Sequence, residues 1–429
     1  MIPIKIFRKN PDKIRESERK RFRDISNVDK VIEYDEKWRE NIQKLQNFRA
    51  ERNKISKNFS KVAKSGDKAA LEDLKSRSKS IKENIENLET HVEELKEKRE
   101  EYRYKVGNIL QDDVPVSEDE ADNIIIRKTQ NIQRFGFDPR NHVELVELID
   151  GVELKKASTI AGSRFYYLKN DLVRLNQALI NFALDILEKA GYILLQTPFF
   201  TKYEVMKEAA ELADFEEQLY KIEGEDLFLI ATSEQTLAAL HRNEIIHINL
   251  LPLRYAGYST CFRKEAGSHG KDTLGIFRVH QFEKVEQYIF CKEEDSAKIH
   301  EELIQNAEEI YNQLKLPYRI VSIVSGELND NASKKYDLEG WFPASETYRE
   351  LVSCTNCLNY QANKLKIRYG ILGDNTTTKK AHTLNSTAIA TERTICCILE
   401  NYQKADGTVI IPEVLQPYMG GREIIPSQK

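Results

Sequence analysis

A heptad pattern between Leu71 and Ile109 constrains the fold of this chain more than any other feature of its sequence. Ten of its twelve seam positions, spaced alternately three and four residues apart, are apolar or aromatic. The seam positions are Leu71, Leu74, Ser78, Ile81, Ile85, Leu88, Val92, Leu95, Arg99, Tyr102, Val106 and Ile109. Since no proline interrupts the stretch, a seam of this length predicts a coiled coil.

A looser helical seam precedes the heptads and predicts the partner helix. Its positions are Val31, Trp38, Ile42, Leu45, Phe48, Ile55, Phe59 and Val62. The sequence Ser65-Gly66-Asp67 lies between the two seams and predicts a tight turn. Two helices joined by a short turn pack antiparallel, and at about 1.5 Å per residue each would be roughly 50 to 60 Å long. We therefore expect a helical hairpin, here called the arm, that projects from the rest of the chain.

Charge is distributed unevenly between this arm and the rest of the chain. The chain has 65 Lys+Arg and 69 Asp+Glu, a formal net charge of -4. Residues 44–82, the half of the arm around the turn, contain twelve basic and four acidic residues, a net charge of +8, so the remainder sums to -12. A surface of one sign favours binding to a polyanion such as a nucleic acid. A solvated coiled-coil face is the alternative that the charges leave open.

Composition argues against a membrane-spanning protein and against a disulfide-rich scaffold. Hydrophobic residues make up 40% of the 429 residues, yet no apolar run approaches the roughly 18 residues that span a bilayer. Six cysteines are too few for a disulfide scaffold and fit a reducing compartment. The first nine residues lack the apolar stretch of a signal peptide. We expect a cytoplasmic protein with no membrane partner.

The character of the sequence changes after the arm. Residues 111–123 are acidic, contain Pro115 and show no periodicity. We therefore predict an arm at residues 1–112, an acidic linker at 113–123 and a larger domain at 124–429. A length of 429 residues suits two or three domains at about 150 residues each.

The larger domain alternates helix-like and strand-like stretches. Asn170 to Ala190 has apolar residues at helical spacing, and Tyr192 to Thr197 reads as a strand. Arg254 to Glu265 and Phe277 to Phe290 predict two antiparallel strands around the polar loop at residues 266–275.

This predicted hairpin carries residues that suit an anionic, planar ligand. Residues two or four apart in a strand share a face. Arg263 and Glu265 would face one way on the first strand, and a second set would do so on the second strand: Arg278, His280, Phe282 and Glu286. Guanidinium groups bind phosphate oxygens and an aromatic ring can stack on a base, although surface ion pairs on an edge hairpin are the alternative. The chain contains no GxxxxGK[ST] phosphate loop, so arginines would have to hold any nucleotide.

Four other patterns are weak when taken alone. Glu350 and Ser353 offer a carboxylate and a hydroxyl of the type that Mg²⁺ binds. Cys354 and Cys357 have zinc-like spacing, but with no second pair they read as structural cysteines. The triplets at residues 232–234 and 385–387 read as helix caps or turns.

Three longer stretches resemble the class II aminoacyl-tRNA synthetases. Residues 191–198, GYILLQTP, look like motif 1 of that class. FRKE at 262–265 with FRVHQF at 277–282 looks like motif 2, and residues 384–399 with Arg393 look like motif 3. Within the class, the full motif 2 segment, the sequences TSE and ELVSCTNC and the N-terminal hairpin are similar to seryl-tRNA synthetases of the eukaryote-like cytosolic form. The resemblance covers nearly the whole chain.

The resemblance implies a fold, a reaction and a set of residues. The fold is α+β: an N-terminal antiparallel coiled-coil hairpin followed by a class II antiparallel sheet flanked by helices. The reaction uses ATP and Mg²⁺ to join L-serine to tRNA(Ser). The implied ATP site consists of Arg263, Lys264, Glu265, Arg278, Val279, Phe282, Glu350, Leu351, Val352, Ser353 and Arg393. The implied serine site consists of Thr232, Glu234, Arg263, Glu286, Asn385 and Thr387.

The resemblance also implies a role for individual residues. By resemblance, Arg263 and Arg393 are catalytic and hold the α- and γ-phosphates, while Glu350 and Ser353 bind Mg²⁺. Glu265 would contact the adenine amino group, and Phe282 would stack on the base. The arm would bind the long variable arm of tRNA(Ser) from within a homodimer, through Lys44, Arg49, Arg52, Lys54, Lys57, Lys61, Lys75, Arg77 and Lys79.

One position departs from the family pattern, and two alternatives remain. Glu392 stands where the family often has Gly or a small polar residue, and we expect its carboxylate to modulate the adjacent Arg393 without removing the γ-phosphate contact. A coiled-coil scaffold or RNA-binding protein with an inactive synthetase-like body would show broken motifs, whereas the charged motif residues are present here. A different class II synthetase is disfavoured by the arm and by the sequence TSE.

Overall fold

The computed structural model describes residues 1–65, 67–129, 132–209, 216–265, 274–371, 373 and 378–428. The side chains of residues 60, 61, 63, 65 and 216 lie outside the described part. So do Gly66 of the predicted turn and residues 266–273 of the predicted loop. The chain divides into two compact units, Ile2–Ile109 and a larger unit that consists of Met1 and Leu110–Lys429.

The N-terminal unit is helical. Its helices are α1 (Ile4–Lys9), α2 (Pro11–Lys20), α3 (Ser26–Ser65) and α4 (Lys68–Tyr104). Helix α4 begins at Lys68, and the side chain of the preceding Asp67 caps it by accepting a 3.0 Å hydrogen bond from the Ala70 amide. Helices α3 and α4 pack along the two predicted seams, of which Leu45, Ile55, Ile81, Ile85 and Val92 form a buried cluster.

The heptad prediction overshoots the end of α4. The helix ends at Tyr104, so Val106 and Ile109 lie beyond it. Tertiary contacts replace helical hydrogen bonds here, because the Gly107 amide donates to the Glu18 carboxylate at 3.1 Å. The Arg21 guanidinium donates to the Asn108 carbonyl at 3.2 Å. Sequence periodicity continues past the point where these contacts end the helix.

An ion-pair cluster explains the arginine in the heptad seam. Arg99 contacts the buried carboxylate of Asp35 at 3.0 Å, and Arg8 contacts the same group at 2.7 Å. Burial opposes ionisation of Asp35, but Arg8 and Arg99 outweigh it and lower the pKa of this carboxyl. A buried charge needs such partners, so Arg99 occupies a seam position without breaking the helix pair.

The larger unit is built on an eight-stranded sheet. Its strand order is β1-β10-β11-β12-β15-β9-β8-β4, and all pairs are antiparallel except β4 with β8. The strands of this sheet are β1 (Ile124–Lys128), β4 (Ile193–Gln196), β8 (Leu253–Phe262), β9 (Gln281–Cys291), β10 (Tyr318–Ser322), β11 (Lys334–Phe342), β12 (Thr347–Asn356) and β15 (His382–Ala390). Smaller sheets contain β2 (Val152–Glu153), β3 (Tyr167–Leu168), β5 (Phe200–Lys202), β6 (Leu227–Leu229), β7 (Ile245–His247), β13 (Arg368–Gly370), β14 (Lys379–Lys380), β16 (Val409–Ile410) and β17 (Ile424–Ile425).

Helices pack against the sheet. They are α5 (His142–Leu148), α6 (Lys155–Ala161), α7 (Asp171–Lys189), α8 (Tyr203–Ala209), α9 (Glu234–Ala239), α10 (Ser296–Gln313), α11 (Tyr360–Lys364) and α12 (Thr391–Asn401). Leucines of α7 and α10 share one core cluster with Val285, Leu338 and Val352 of the sheet. The predicted α+β fold, a coiled-coil hairpin followed by an antiparallel sheet flanked by helices, is confirmed.

The predicted helix and strand around Gly191 are present as α7 and β4. Gly191 has φ +84°, and the Tyr192 amide bonds back to the Leu187 carbonyl at 3.0 Å. A residue in this left-handed region followed by a bond of that span is the usual helix stop. Glycine is needed here because it adopts positive φ without steric cost.

The predicted hairpin strands are shorter than expected. Strand β8 ends at Phe262 and β9 begins at Gln281, so Arg263, Glu265 and Arg278 are not strand residues. Pairing extends one step further through the Arg263 amide, which donates to the His280 carbonyl at 2.9 Å. Glu265 then takes φ +49°, which breaks the extended conformation. The prediction that strand alternation places these arginines on one face is therefore wrong. The chain brings them together outside the strands.

The predicted linker packs against the larger unit at its start. Leu110 and Val114 are buried with Val321 and Ile323 of the sheet edge and with Leu328. All six cysteines are free and buried, which agrees with a structural role for Cys354 and Cys357. No helix in the described part of the chain is long and apolar enough to cross a membrane.

Candidate active site

A cavity of about 250 Å³ lies over the central strands of the main sheet. Every residue predicted for the ATP and serine sites lines it except Lys264 and Val352. Its lining consists of Thr232, Glu234, Arg263, Glu265, Phe277, Arg278, Val279, Phe282, Lys284, Glu286, Asn329, Asn331, Lys335, Glu350, Leu351, Ser353, Thr355, Asn385, Thr387, Ala390, Glu392 and Arg393. Segments more than 160 residues apart in sequence thus form one site.

Two predicted residues lie elsewhere for identifiable reasons. Val352 is fully buried in the core on the other side of the sheet. The Lys264 ammonium lies 5.7 Å from the centre of the Tyr220 ring, and its amide donates to the Gln218 carbonyl at 2.9 Å. Its side chain is therefore directed away from the cavity.

Arg263 is held by a backbone hydrogen bond and a ring contact, and it makes no close ion pair among the described residues. Its Nε donates to the Ala231 carbonyl at 3.2 Å, and its guanidinium carbon lies 5.1 Å from the centre of the Phe282 ring. No carboxylate of the described residues lies within 4.0 Å of it. A guanidinium held in this way is prepared to bind an anion.

A second arginine lies at the end of the cavity formed by motif 2. Arg278 contacts the Glu265 carboxylate at 3.4 Å. The Glu265 carbonyl accepts a 3.1 Å hydrogen bond from Arg164, which supports the positive φ of Glu265. Glu265, Arg278 and Phe282 all line the cavity.

A β-bulge brings Glu350 and Ser353 to one face of β12. Glu339 pairs with Glu350 and Leu338 pairs with Val352, so Leu351 is an extra residue in the ladder. In a regular strand, residues three apart face opposite sides. The bulge removes this conflict, and both oxygen-bearing side chains line the cavity.

Basic groups surround the Glu350 carboxylate, whose side chain is 46% exposed to the cavity. Loss of solvent around Glu350 opposes its ionisation, but Arg393, Lys335 and Arg263 together lower the pKa of Glu350 to about 2. An ionised carboxylate beside a hydroxyl is a donor set that fits Mg²⁺. Of the described residues, no cluster of three His, Cys, Asp or Glu side chains offers an alternative metal site.

Two further carboxylates, those of Glu234 and Glu286, line the cavity. Glu234 accepts hydrogen bonds from the side-chain amides of Gln361 at 2.8 Å and Asn385 at 2.9 Å. Glu286 contacts the Lys284 ammonium at 2.6 Å and accepts a 3.4 Å hydrogen bond from the Thr387 hydroxyl.

Sequence reasoning missed Lys284 and Lys335. Lys284 lies between Phe282 and Glu286 at the same alternation in β9, so strand parity was a usable signal for it. Lys335 contacts Asp337 at 3.1 Å, and its side chain is only 14% exposed. Burial disfavours the charged form of Lys335, but Asp337 and Glu350 outweigh burial and raise its pKa. The cavity therefore holds two more ammonium groups than the motifs indicated.

Glu392 is tied into the fold beside Arg393. The Tyr166 hydroxyl donates to its Oε1 at 2.6 Å, while the Glu283 amide and the Thr391 hydroxyl each donate to its Oε2 at 3.0 Å. Burial and the Glu283 carboxylate raise the pKa of Glu392 well above its usual range. These donors occupy the Glu392 carboxyl, and Arg393 contacts Glu350 instead, at 3.5 Å.

The basic residues of the arm are exposed to solvent. Lys44, Arg52, Lys54, Lys57, Lys75 and Lys79 are exposed and make no ion pair within 4.0 Å among the residues that the structure describes. Arg49 and Arg77 instead pair with Glu89 and Glu51. The side chain of Lys61, also predicted to bind tRNA, lies outside the described part.

Comparison with known proteins identifies the class. Residues 217–402 match the family described as the tRNA synthetase class II core domain (G, H, P, S and T). Residues 1–110 match the seryl-tRNA synthetase N-terminal domain. The antiparallel sheet and its cavity are therefore those of a class II aminoacyl-tRNA synthetase.

Full-length relatives narrow the class to one family. A serine--tRNA ligase from Methanosphaera stadtmanae is 61% identical, over 100% of both chains. The crystal structure of seryl-tRNA synthetase from Pyrococcus horikoshii complexed with ATP has a TM-score of 0.94 at 41% identity, over 100% of both chains. A cytoplasmic serine-tRNA ligase from Naegleria fowleri in complex with AMP has a TM-score of 0.88 at 45% identity, over 100% of this chain and 99% of the other. The chain belongs to the seryl-tRNA synthetase family.

Proposed function

We propose that this chain activates L-serine with ATP and transfers the serine to the 3′-terminal adenosine of tRNA(Ser). The observation that carries the proposal is the Arg263 guanidinium, which Ala231 and Phe282 hold in the cavity with no carboxylate of the described residues within 4.0 Å. It lies in one cavity with the candidate adenine contacts and the candidate serine contacts. Such an arrangement suits a reaction at a phosphate that joins the two substrates.

The proposed reaction has two steps. An oxygen of the serine carboxylate attacks the α-phosphorus of ATP, the bond from this phosphorus to the bridging oxygen breaks, and pyrophosphate leaves with the electron pair. A terminal ribose hydroxyl of tRNA then attacks the carbonyl carbon of seryl-adenylate and AMP leaves. No protein nucleophile is required, so positioning and charge stabilisation supply the catalysis.

The ATP site uses residues along one wall of the cavity. Arg263 binds the α-phosphate, where negative charge develops as the carboxylate attacks. Arg393 binds the γ-phosphate and must exchange its contact with Glu350 for that anion. Phe282 stacks on adenine, and Glu265 accepts a hydrogen bond from its amino group. Arg278 lies beside Glu265 and supplies positive charge to the triphosphate.

Glu350 and Ser353 are proposed to hold Mg²⁺. When bound, the ion neutralises phosphate charge during pyrophosphate departure. The low pKa of Glu350 keeps its carboxylate ready as a ligand at neutral pH. The backbone of Leu351 and Val352, between the two ligands, completes this segment of the ATP site.

The serine pocket is proposed to recognise three groups of the amino acid. The Glu234 carboxylate and the Thr232 hydroxyl bind the ammonium group, and Arg263 orients the carboxylate. Thr387 and Glu286 contact the serine hydroxyl, with Asn385 beside them. Alanine would leave these buried polar groups unpaired, and threonine would be too large.

The arm is proposed to bind the long variable arm of tRNA(Ser). We expect its exposed lysines and arginines to contact the phosphates and to follow the shape of the RNA rather than to read base edges. We assign residues 1–112 to this arm, 113–123 to the acidic linker and 124–429 to the catalytic domain.

A homodimer in the cytoplasm is also proposed. The edge strand β4 pairs with β8, and no second described strand pairs with it. Ile193 and Leu194 in β4 are 51% and 37% exposed. An apolar edge strand of this kind normally requires cover, which a second copy of the chain would supply. A cytoplasmic location agrees with six free cysteines.

Pyrophosphate exchange into ATP tests the proposed function. Each amino acid is supplied in turn with Mg²⁺, and incorporation of labelled pyrophosphate into ATP is measured. We expect exchange with serine and not with alanine or threonine. Absence of exchange with every amino acid would overturn the proposal, and exchange with a different amino acid would reassign the pocket.

A further inference from the structure

A glutamine that does not line the cavity contacts a carboxylate that does. Gln361 in α11 is fully buried, and its Nε2 donates to Oε1 of Glu234 at 2.8 Å. On its other side, Oε1 of Gln361 accepts hydrogen bonds from the Tyr288 hydroxyl at 2.7 Å and the Thr383 hydroxyl at 2.8 Å. The amide therefore bridges the core of the domain and the serine pocket.

Tyr288 determines which end of this amide faces Glu234. Its side chain is fully buried, and burial raises the pKa of its hydroxyl well above the usual range. The phenol therefore keeps its hydrogen and donates it to the Gln361 oxygen. If the amide rotated by 180°, its nitrogen would face two hydroxyl groups and its oxygen would face the Glu234 carboxylate. The two hydroxyls thus hold the amide in one orientation.

The same oxygen of Glu234 receives a second donor. Asn385 donates to Oε1 from its side-chain amide at 2.9 Å. Two N–H groups on one carboxylate oxygen favour the ionised form and restrict rotation of the side chain. Glu234 also stands at the first position of α9, where its amide donates to the Thr232 hydroxyl at 3.2 Å. Its carboxylate is consequently fixed from several sides before any ligand enters.

We infer that Gln361 is a positioning residue that orients the Glu234 carboxylate toward the ammonium group of serine, and that Tyr288 maintains the amide of Gln361 in the required orientation. The inference rests on the proposed function for the role of Glu234. It adds residues that touch no substrate, one of them 127 positions away from Glu234 in the sequence. Removing a hydrogen bond to a charged group lowers affinity by about 10- to 100-fold.

Two pairs of variants test the inference by pyrophosphate exchange. Gln361→Met is compared with Gln287→Met, because both glutamines are fully buried and hydrogen-bonded but Gln287 faces Leu303 and Asn306. Tyr288→Phe is compared with Tyr311→Phe, because Tyr311 is equally buried and its hydroxyl contacts Thr394 outside the pocket. Circular dichroism confirms that each variant is folded.

The expected result is a selective change in serine binding. Gln361→Met should raise KM for serine about 10- to 100-fold, while KM for ATP changes by less than about twofold. Tyr288→Phe removes a single oxygen atom and should raise KM for serine about 3- to 10-fold. Both control variants should leave KM for serine unchanged.

Inhibition by substrate fragments separates ammonium recognition from general damage. Serinamide retains the ammonium group, whereas L-glycerate replaces this group with a hydroxyl. Gln361→Met should weaken inhibition by serinamide and leave inhibition by L-glycerate as in the wild type. A structural defect of the whole pocket would weaken both.

Three results would overturn the inference. The first is an unchanged KM for serine in both Gln361→Met and Tyr288→Phe; the second is an equal rise in KM for serine and for ATP; the third is an equal effect of the control variants. If Gln361→Met fails to fold, Tyr288→Phe decides alone. Because wild-type exchange with serine is measured first, failure of the proposed function is distinguishable from failure of this inference.

Discussion

Arg393 contacts Glu350 twice: its Nη1 donates to the backbone carbonyl of Glu350 at 3.1 Å and lies 3.5 Å from the carboxylate Oε2 of the same residue. The arginine proposed to bind the γ-phosphate therefore shares a carboxylate with the proposed metal site. Any triphosphate that draws Arg393 away leaves Glu350 available to a cation. The two binding events should be coupled.

Replacing Glu350 should weaken the dependence on Mg²⁺ without unfolding the protein. Glu350→Gln removes the charged ligand but keeps the size of the side chain. We expect the Mg²⁺ concentration for half-maximal exchange to rise at least about tenfold. A magnesium titration of pyrophosphate exchange measures this change. Glu346→Gln, an exposed neighbour in the same chain segment, is the control, and an equal shift in both variants would contradict the assignment.

Arg263 should be indispensable for adenylate formation. Arg263→Met removes the cation at the site of developing phosphate charge, and kcat/KM for exchange should fall by about 100- to 1000-fold. Arg254→Met is a matched control in the adjacent strand, where Arg254 contacts Glu302 at 2.7 Å. Activity of the Arg263 variant within about tenfold of the wild type would show that another group carries this role.

Neutralising the arm should separate tRNA charging from serine activation. The combined variant Lys54→Gln, Lys57→Gln, Lys75→Gln and Lys79→Gln should raise KM for tRNA at least about tenfold and flatten its salt dependence, because phosphate contacts are lost. Exchange without tRNA should be unchanged. The control replaces Lys96 and Lys105, which pair with Glu93 and Glu101. Normal aminoacylation by the four-lysine variant would refute the tRNA role of these residues.

Thr387 should contribute to discrimination against alanine. Its hydroxyl donates to Glu286 at 3.4 Å, and both groups line the cavity. Thr387→Ala should reduce the ratio of kcat/KM for serine over alanine about 5- to 10-fold, since one polar contact to the substrate hydroxyl is lost. Exchange kinetics with both amino acids measure the ratio. Thr347→Ala is the control, because Thr347 lies outside the cavity. Thr383→Ala would be unsuitable because Thr383 contacts Gln361.

Buried His300 should make the folded catalytic unit sensitive to acid. Burial lowers the pKa of His300 to about 4, so the unfolded chain, with a histidine pKa of about 6.5, takes up the proton first as the pH falls. Stability is therefore lost between about pH 6.5 and pH 4 and regained as pH rises. From pH 7 to pH 5 this one group should cost about 2 kcal/mol of unfolding free energy.

The variant His300→Phe isolates this contribution. A phenyl ring can keep the stacking on Tyr336, where the ring centres lie 4.6 Å apart, but it cannot be protonated. Urea unfolding at pH 7 and pH 5 should show a smaller loss of stability in the variant than in the wild type. The exposed His91 is the control, and His91→Phe should leave the loss unchanged. Equal losses in His300→Phe and the wild type would exclude His300 as the cause.

The sequence predicted the helical arm well because heptad spacing depends on local information, whereas the roles of the site residues stay predictions. The heptad spacing follows from helix geometry, and the motif 2 arginines were recognisable by their charge beside aromatic residues. Alternation in β9 also contained the signal for Lys284, which shares parity with Phe282 and Glu286. The predicted extent of β8 was wrong, because the positive φ of Glu265 depends on a tertiary contact from Arg164.

Other features of the site had no local signal. Gln361 reaches Glu234 only in the folded chain, because the two residues lie 127 positions apart and no local pattern predicts their contact. The end of α4 at Tyr104 depends likewise on Glu18 and Arg21, which lie more than 80 positions earlier. Such contacts exist only in the folded chain, so a reading of short patterns cannot supply them.

The bulge at Leu351 makes residue count, as well as residue chemistry, a determinant of the proposed metal site. Inserting one residue between Leu351 and Val352 would leave Glu350 and Ser353 intact, yet it would turn Val352 toward the cavity and Ser353 toward the core, with every later side chain of β12 inverted relative to Glu350. Core residues would then replace cavity residues along half a strand. An engineered insertion at this position should therefore be more damaging than any single substitution, because it displaces a whole row of side chains rather than one.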